Sequence, residues 1–363
     1  MLKPIELTYV PLLGVRAAEM NALQELPASD KDDLVPLIML RPWGGSHQFA
    51  RTLERIEKAI GERGWIADFD HEYIHREMPP NDPAKKRVVF EEIRNLLNPD
   101  NDFENWVNFI EETDKAVPTL QIPDDISLLT AGQAVGLVGQ GRGLVVRIRQ
   151  KDFPNVAAII NVVKDVPVEQ LLFVVDYEYV GREILTPVAA LLSPLEKISM
   201  GLPGVSVVTA ANSVPLDFSN IDGVGQQDIY ERLFFNTIAK TQENIRMIYG
   251  DYGSARRVSQ KGGPTFIPAR IDFPQNDKWI FVRRPADTNY QIVAAQVTKL
   301  DEWDDELRLW GIQMIEKTLL GDTDGITSAQ RVTGVRINIH LHRQLRYGEG
   351  VAALHDTEDD WED

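Results

Sequence analysis

Charged side chains stand at the ends of several short apolar segments that predict β-strands. Asp68 and Asp70 close one such segment, Arg147 and Arg149 close another, and Asp176 closes a third. Successive side chains of a strand point to opposite faces, so each two-residue spacing places both members of a pair on one face. Carboxylates and arginines gathered in this way could bind a divalent cation together with an anionic group, or supply a general acid and base.

We expect these strand ends to form one site. Arginines would bind an anion through paired hydrogen bonds, and carboxylates would act as metal ligands or as a general base. The predicted ligand-binding residues are Arg16, Arg41, Arg147, Arg149 and Tyr252. The predicted catalytic residues are Glu19, Asp68, Asp176, Asp251, His340 and His342. The alternative is an ionic network with a structural role, because charged strand ends often pair with one another.

Two histidines near the end of the chain are candidates for the same site. His340 and His342 lie in a predicted strand, Arg336 to His342, where alternation would place both imidazoles on one face. The alternative is that both are exposed on an edge strand. His71 and His75 are four residues apart, but we predict a loop there, so a helical metal-binding pair is only weakly supported.

No motif of a known catalytic class occurs in the chain. We find no Gly-x-Ser-x-Gly turn, Walker loop, His-Glu-x-x-His helix or EF-hand loop. The residues therefore leave open whether the protein is an enzyme. If it is one, we expect a hydrolase, with a divalent cation as the cofactor to consider.

Short apolar runs alternate with longer segments of helical spacing, at a period near 30 residues. The predicted strands are Leu7–Gly14, Leu34–Leu40, Gly64–Asp70, Ala116–Ile122, Gly143–Arg149, Gln170–Tyr177, Val205–Ala211 and Arg246–Asp251. The predicted helices are Arg16–Leu26, Gln48–Arg63, Ala84–Leu97, Ile126–Val138, Phe153–Val163, Gly181–Ile198 and Asp228–Asn244. Eight such units favour an α/β fold of the TIM type, a closed (β/α)8 barrel. An open doubly wound sheet is less favoured, because the first turn lacks a glycine-rich fingerprint.

The pattern changes after residue 252, so we divide the chain there. Residues 1–252 would form the barrel, and residues 253–350 a smaller β-rich extension packed on it. In the extension we predict strands at Trp279–Arg283, Gln291–Thr298 and Arg336–His342, and a helix at Trp303–Leu319. Six of the last eight residues are acidic, so residues 351–363 are expected to be a disordered tail.

Composition excludes several classes of protein. The 38 basic and 55 acidic residues give a net charge of −17, which disfavours generic nucleic-acid binding. The absence of cysteine excludes disulfides and thiolate chemistry and fits a reducing compartment. With no apparent export signal or long apolar span, we expect a cytoplasmic protein that does not enter the membrane.

Several segments, in this order, resemble a family of bacterial and phage sequences called the Beta protein family. They are Tyr9-Val10-Pro11-Leu12-Leu13-Gly14 with Arg16 and Glu19, Leu34-Val35-Pro36-Leu37-Ile38, Gly250-Asp251-Tyr252-Gly253, Arg270-Ile271 with Trp279-Ile280, and the run from Arg331 to His342. The resemblance covers almost the whole chain. It implies a phage or bacterial origin and a setting of mobile elements and antiviral defence, and it leaves the activity open.

Two functions remain in view. The first is binding, with or without hydrolysis, of a small phosphate-bearing anion at the rim of the barrel. The second is a non-catalytic scaffold that docks a protein partner encoded in the same operon through Trp303, Trp310 or Trp361. Ordinary core packing is the alternative for Trp303 and Trp310, since seven residues apart suits one buried helix face.

Overall fold

The main sheet consists of eight parallel strands. A computed structural model of the chain describes residues 2–77, 87–186, 189–242, 244–256 and 267–357. The strands of the described residues are β1 (Tyr9–Gly14), β2 (Leu37–Leu40), β3 (Trp65–Phe69), β4 (Ala116–Pro118), β5 (Leu144–Arg149), β6 (Leu171–Tyr179), β7 (Ser206–Asn212), β8 (Gly223–Asp228), β9 (Arg246–Asp251), β10 (Ala269–Pro274) and β11 (Lys278–Arg284). The order in the main sheet is β4, β3, β2, β1, β9, β7, β6, β5. A parallel bridge between Thr119 and Val145 links its two ends, so the sheet is a nearly closed barrel. All eight strands predicted for this sheet are confirmed.

Helices follow the barrel strands and continue into the extension. They are α1 (Ala17–Gln24), α2 (Ala28–Asp33), α3 (Ala50–Ile60), α4 (His71–Glu77), α5 (Val88–Leu96), α6 (Asp100–Glu111), α7 (Ala131–Val138), α8 (Val156–Val163), α9 (Ala189–Gly201), α10 (Tyr230–Ile238), α11 (Tyr290–Val297), α12 (Trp310–Leu319), α13 (Ala329–Leu345) and α14 (Val351–His355). The seven predicted helices correspond to α1, α3, α5, α7, α8, α9 and α10. The prediction of a loop around His71 is wrong, because α4 occupies it.

The barrel strands are buried on both faces, as is typical of parallel sheets covered by helices. In β5, Val145 belongs to the apolar cluster inside the barrel. Its neighbours Leu144, Val146 and Ile148 pack outward into the cluster under the helices. The same alternation turns Arg147 and Arg149 inward, and it therefore decides which polar groups meet inside the barrel.

The extension carries a separate antiparallel sheet in the order β10, β11, β8. In its register, Ile271 faces Val282 and Phe281 faces Gly225. Strand β8 comes from the segment between β7 and α10, so a part of the chain before residue 252 completes the sheet of the extension. The barrel and the extension are thus interleaved along the sequence.

Two strands predicted in the extension are helices. Gln291–Thr298 corresponds to α11, where the Asn289 side chain accepts a hydrogen bond from the Gln291 N–H at 2.9 Å and caps the first turn. Arg336–His342 lies within α13, which begins at the Ser328 cap. Because α13 is buried on nearly every side from Val332 onward, its β-branched residues show no helical stripe, and their pattern predicts a strand instead. The helix predicted from Trp303 is shorter and begins at Trp310.

Helix α13 lies between the barrel and the extension. The Asn338 amide donates to the backbone oxygens of Ala22 (3.1 Å) and Glu25 (3.2 Å) at the end of α1, and its oxygen accepts from the Gly311 N–H (2.9 Å) in α12. Ile337 and Leu341 belong to the barrel cluster, whereas Val335 and Ile339 belong to that of the extension. One helix therefore supplies both cores.

The start of the expected acidic tail is structured. Residues Val351–His355 form α14, and His355 Nε2 lies 2.8 Å from Asp304 Oδ2. Residues 358–363 lie outside the described residues. Within the described part of the chain, no helix has the length and apolar character needed to cross a membrane.

Candidate functional site

Four of the predicted site residues meet inside the barrel around Arg147. The Arg147 Nη1 lies 2.8 Å from Asp68 Oδ2, and its Nε and Nη2 lie 3.0 and 2.7 Å from Asp176 Oδ2. The Tyr252 hydroxyl donates to the same Asp176 oxygen at 2.6 Å. Thr119 Oγ1 donates to Asp68 Oδ1 at 3.0 Å. One guanidinium therefore holds two carboxylates in a fully buried cluster.

The electrostatics of this cluster favour ionised groups. Burial opposes ionisation of Asp68, but His71 and Arg147 outweigh it and hold its pKa far below the usual range. Burial likewise lowers the pKa of Arg147, but Asp176, Tyr252 and Asp68 leave that pKa raised. This geometry fits the alternative that we weighed from the sequence, an ionic network that closes the top of the barrel.

Asp251 does not join that cluster. It precedes Tyr252, so its side chain points to the opposite face of the sheet. Its Oδ1 accepts hydrogen bonds from the Tyr9 hydroxyl and the Gly253 N–H, each at 2.7 Å, and its Oδ2 lies 2.7 Å from His340 Nε2. Burial opposes ionisation, but these partners, with His340 foremost, lower the pKa of Asp251. The expectation that Asp251 meets Asp68 and Asp176 is wrong.

His340 and His342 do not share a face either, because residues two apart on a helix point in nearly opposite directions. His340 packs against Trp279, with ring centroids 6.2 Å apart. The two ring nitrogens of His342 face Asp30 Oδ2 at 2.6 Å and the Leu354 carbonyl at 2.8 Å. Both imidazoles are fully buried, so neither forms part of an exposed edge.

Two further predicted ligand residues have local partners. Arg41 Nη1 lies 3.5 Å from Asp70 Oδ2, and its guanidinium lies 3.8 Å from the centre of the Tyr73 ring. Arg149 Nε lies 3.4 Å from Asp152 Oδ2, in the turn that follows β5. Neither residue lines the large cavity described next.

A cavity of about 710 Å³ opens between the barrel rim and the extension. Its barrel side is formed by the start of α1 and by the loops after β7 and β9. Its other side is formed by β10, β11 and the first turns of α13. The wall contains five arginines, Arg16, Arg256, Arg270, Arg283 and Arg336. We call this feature the arginine cavity.

The arginines of the cavity are held by a buried carboxylate and an aromatic ring. Asp272 Oδ1 lies 2.5 Å from Arg270 Nε, and its Oδ2 lies 2.5 Å from Arg336 Nη1. The guanidiniums of Arg270 and Arg256 lie 3.4 and 4.2 Å from the centre of the Phe218 ring. Cation–π contacts of this kind fix the planes of the guanidiniums without neutralising their charge.

Several guanidinium donors of the cavity have no partner among the described residues. They are Nε and Nη2 of Arg256 and Nε of Arg336, and all three atoms are buried. Burial, together with repulsion from Arg270 and Arg336, lowers the pKa of Arg256 to about 10. Buried donors are normally hydrogen-bonded, so such a group of unsatisfied cationic donors is unusual in a structural cluster.

Helix termini add to the positive potential of the cavity. Ala17 and Ala18, the first residues of α1, are in its wall, and α1 has no side-chain cap. The first turns of α13 also reach the wall, at Gln330 and Thr333. Amide groups at a helix N-terminus attract anions.

Arg16 and Glu19 are the two predicted site residues that line the cavity. Glu19 is buried and accepts a hydrogen bond from the Gly14 N–H at 2.9 Å. Burial raises its pKa, an effect that Arg16 partly offsets. Arg16 Nη1 donates to the Arg256 carbonyl at 2.7 Å and so ties the start of α1 to the turn after β9.

That turn is held by buried side chains. The Asp251 carboxylate accepts the Gly253 N–H, and the Asn212 amide donates to the Ala255 carbonyl at 2.7 Å. Ser254 has a φ of 58°, a left-handed conformation rare for residues other than glycine. These contacts direct Arg256 toward the cavity.

Sequence reasoning missed Arg256, Arg270, Arg283 and Arg336. For Arg256 and Arg270 the signal was the glycine, proline and arginine residues after residue 251, which we interpreted as a change of pattern and not as a site. Arg283 and Arg336 lay in predicted strands. No group of three or more potential metal ligands occurs in the described ranges, so the divalent cation stays a prediction.

Comparison with known proteins gives one consistent result. The sequence model of a family described as Beta protein matches residues 9–346. Protein beta of Enterobacteria phage P4 is 27% identical over 361 residues, an alignment that covers 97% of each chain. No solved structure matches the chain.

Proposed function

This chain belongs to the Beta protein family, and from that premise we propose that it binds a small phosphate-bearing anion in the arginine cavity. The observation that carries the proposal is the set of buried guanidinium donors of Arg256 and Arg336 that lack partners in the described structure. A phosphate group offers several strong acceptor oxygens to such donors. The predicted function is thereby retained, but its site moves from the mouth of the barrel to the side of the rim.

The position of the cavity supports phosphate as the bound group. We propose that the nearly closed sheet is a complete (β/α)8 barrel, in which β7 and β9 are the seventh and eighth strands. Barrels of this type often bind phosphate between the loops after those two strands and the N-terminus of a nearby helix. Here the same loops supply Phe218 and Arg256, and α1 and α13 supply the helix ends.

Hydrolysis is the reaction we propose if the bound ligand is turned over. Water would add to phosphorus as the bond to the organic oxygen breaks, and Glu19 would accept a proton of the water. The departing organic oxygen would take up a proton from solvent and leave as an alcohol. The raised pKa of Glu19 supports this role, because a carboxylate that binds its proton more tightly is a stronger base. Its test is release of inorganic phosphate, which Glu19→Gln would abolish while binding persists.

The scaffold function has less support. Trp303 and Trp310 pack against the apolar cluster of the extension, as the core-packing alternative expected, and Trp361 lies outside the described residues. A partner protein from the same operon, an antiviral or mobile-element setting, and a cytoplasmic location are parts of the proposal that rest on sequence and family alone.

Binding is tested by thermal unfolding of the purified chain with inorganic phosphate and with organic phosphates. A ligand that binds the folded state raises the midpoint, and Arg256→Gln should weaken that binding about tenfold by removing a charged donor. Arg51→Gln is the matched control, since Arg51 is exposed and pairs with Glu54 on the surface of α3. The proposal fails if no phosphate compound shifts the midpoint, or if the two variants respond alike.

A further inference from the structure

The wall of the arginine cavity contains apolar and aromatic side chains as well as charged ones. Arg256, Arg270 and Arg336 supply positive charge, and Ile267 and Tyr290 supply apolar and aromatic surface. Building on the proposed function, we infer that the ligand is a phosphate monoester with one planar organic group, the chemistry of a nucleoside monophosphate. Its phosphate contacts the arginines, and its planar group rests on Tyr290 and Ile267.

Charge balance selects a single phosphate. Five arginines line the cavity, and one of them, Arg16, shares the Asp70 carboxylate with a sixth, Arg41. Among the described residues, four carboxylates accompany these six arginines: Glu19 and Asp217 in the wall, Asp272 between Arg270 and Arg336, and Asp70 between Arg16 and Arg41. Two positive charges are left over. A phosphate monoester carries up to two negative charges near neutral pH, whereas a triphosphate would bring an excess of negative charge into a site that Glu19 and Asp217 already border.

Size and surface favour a ligand larger than inorganic phosphate. A volume of about 710 Å³ lies in the range of cavities that hold drug-sized organic molecules. Ile267, at the edge of the cavity, is 58% exposed, so a large apolar side chain is left in contact with water. An organic group that covers Ile267 would remove this apolar surface from solvent.

Tyr290 provides the face for a planar group. Phe218 already has guanidiniums stacked on it, so it serves to orient Arg256 and Arg270. Tyr290 is half-buried in the wall, and no ring or guanidinium of the described chain stacks on it. Nucleic-acid bases stack on aromatic side chains through their planar faces, and every base has such a face.

The test is calorimetric titration of the full chain with inorganic phosphate, adenosine, the four common nucleoside 5′-monophosphates and ATP. We expect at least one monophosphate to bind about tenfold or more tightly than either inorganic phosphate or ATP, and adenosine to give no measurable heat. Equal or tighter binding of inorganic phosphate or ATP would overturn this inference and leave the proposed function standing. No binding of any phosphate compound would sink the proposed function itself.

Two variants separate the contacts of the planar group from those of the phosphate. Tyr290→Leu should weaken monophosphate binding about fivefold or more and leave the affinity for inorganic phosphate unchanged, whereas Arg256→Gln should weaken both. Ile292→Ala is the control on the same helix, because Ile292 is outside the cavity and 38% exposed. Equal effects of Tyr290→Leu on both ligands would overturn the assignment of the planar group.

A further titration distinguishes a free nucleotide from the end of a nucleic acid strand, which carries the same chemistry. The net charge of −17 should repel additional phosphates. We therefore expect a 5′-phosphorylated tetranucleotide to bind more weakly than the mononucleotide, and tighter binding would overturn the assignment to a free nucleotide.

Discussion

Arg147 is the residue on which the interior of the barrel depends, because it is shared by two buried carboxylates. Replacing it with methionine keeps the volume but leaves Asp68 and Asp176 without their counter-charge. We expect Arg147→Met to lower the free energy of unfolding by about 3–5 kcal/mol, as found when one member of a buried ion pair is removed. Urea denaturation followed by circular dichroism measures this difference.

The control for this prediction is Arg51→Met. Arg51 pairs with Glu54 at 2.6 Å, but both side chains are more than half exposed. Such pairs contribute about 0–1 kcal/mol, so the control should change stability little. A loss below 1 kcal/mol for Arg147→Met would mean that the carboxylates find other partners or take up protons, and the interior would not be the ionic network described above.

Glu231 makes the stability depend on pH in a direction opposite to that of most carboxylates. Burial raises its pKa to about 8 in the folded protein, where it hydrogen-bonds with Ser213. In the unfolded state, Glu231 loses its proton near the ordinary pKa of a glutamate. The stability that comes from the raised pKa is therefore complete below that ordinary pKa and is lost as the pH rises toward 8. Each pH unit in this window costs up to about 1.4 kcal/mol.

Glu231→Gln removes this titration and keeps an oxygen that can accept from Ser213. We expect the stability of the variant relative to the parent to increase from pH 5 to pH 8 and to stay constant above pH 8. Urea denaturation at each pH gives the two curves. A difference that does not vary with pH would show that Glu231 is ionised in the folded protein.

Helix α13 uses two histidines for two different tasks. His340 contacts Asp251, which holds the turn that carries Arg256, and Arg336 lies one helical turn earlier on the same face of α13. We expect His340→Leu to weaken phosphate binding because that turn loses its anchor. His340→Gln, which can still donate to Asp251, should restore much of the affinity.

His342 instead joins α13 to α2 and α14 through Asp30 and the Leu354 carbonyl. His342→Leu should leave phosphate binding unchanged and increase hydrogen exchange of the α14 amides, since α14 loses its contact with α13. Calorimetric titration with phosphate and hydrogen exchange, each measured on His340→Leu and His342→Leu, test these two expectations. If both histidine variants reduced binding equally, general destabilisation of α13 would explain the result better than two separate tasks.

The elements that sequence reasoning predicted well are those with a clear local pattern. The barrel strands are short β-branched runs between turns, and a helix such as α3 shows its apolar stripe at Ile56, Ala59 and Ile60. Helix α13 could not be recognised in this way. Its polar residues, among them Asn338 and His340, are also buried, because their partners come from distant parts of the chain.

The candidate site likewise depends on contacts that local sequence patterns do not show. Arg16 and Glu19 were predicted from their place after the first strand, and they do line the arginine cavity. Arg270 and Arg336 are separated from them by more than 250 residues, and they meet Arg16 only when the extension packs against the barrel. Strand alternation correctly predicted that Asp68 and Arg147 lie close together. No local pattern could show that the extension packs beside the barrel and forms the arginine cavity with it.

The interleaving of barrel and extension predicts that neither folds alone. Ile337, Leu341 and Leu345 of α13 pack in the same apolar cluster as Tyr9 and Leu23 of the barrel. A chain that ends at residue 252 would expose that surface and would also leave β8 without its partner β11. We expect residues 1–252 to aggregate or to unfold without a cooperative transition.

The full chain should unfold in one transition, with coincident curves from tryptophan fluorescence and circular dichroism. A chain that ends at residue 350 is the control, because it lacks α14 but keeps α13 in place, and it should remain cooperative.

A cooperative, soluble fragment 1–252 would instead make the barrel an independent domain. The arginine cavity would then be an interface between two domains that could separate, and ligand affinity would depend on their docking. With one cooperative unit, the same arginines are fixed before the ligand arrives, so binding need not overcome the entropy of assembling the site.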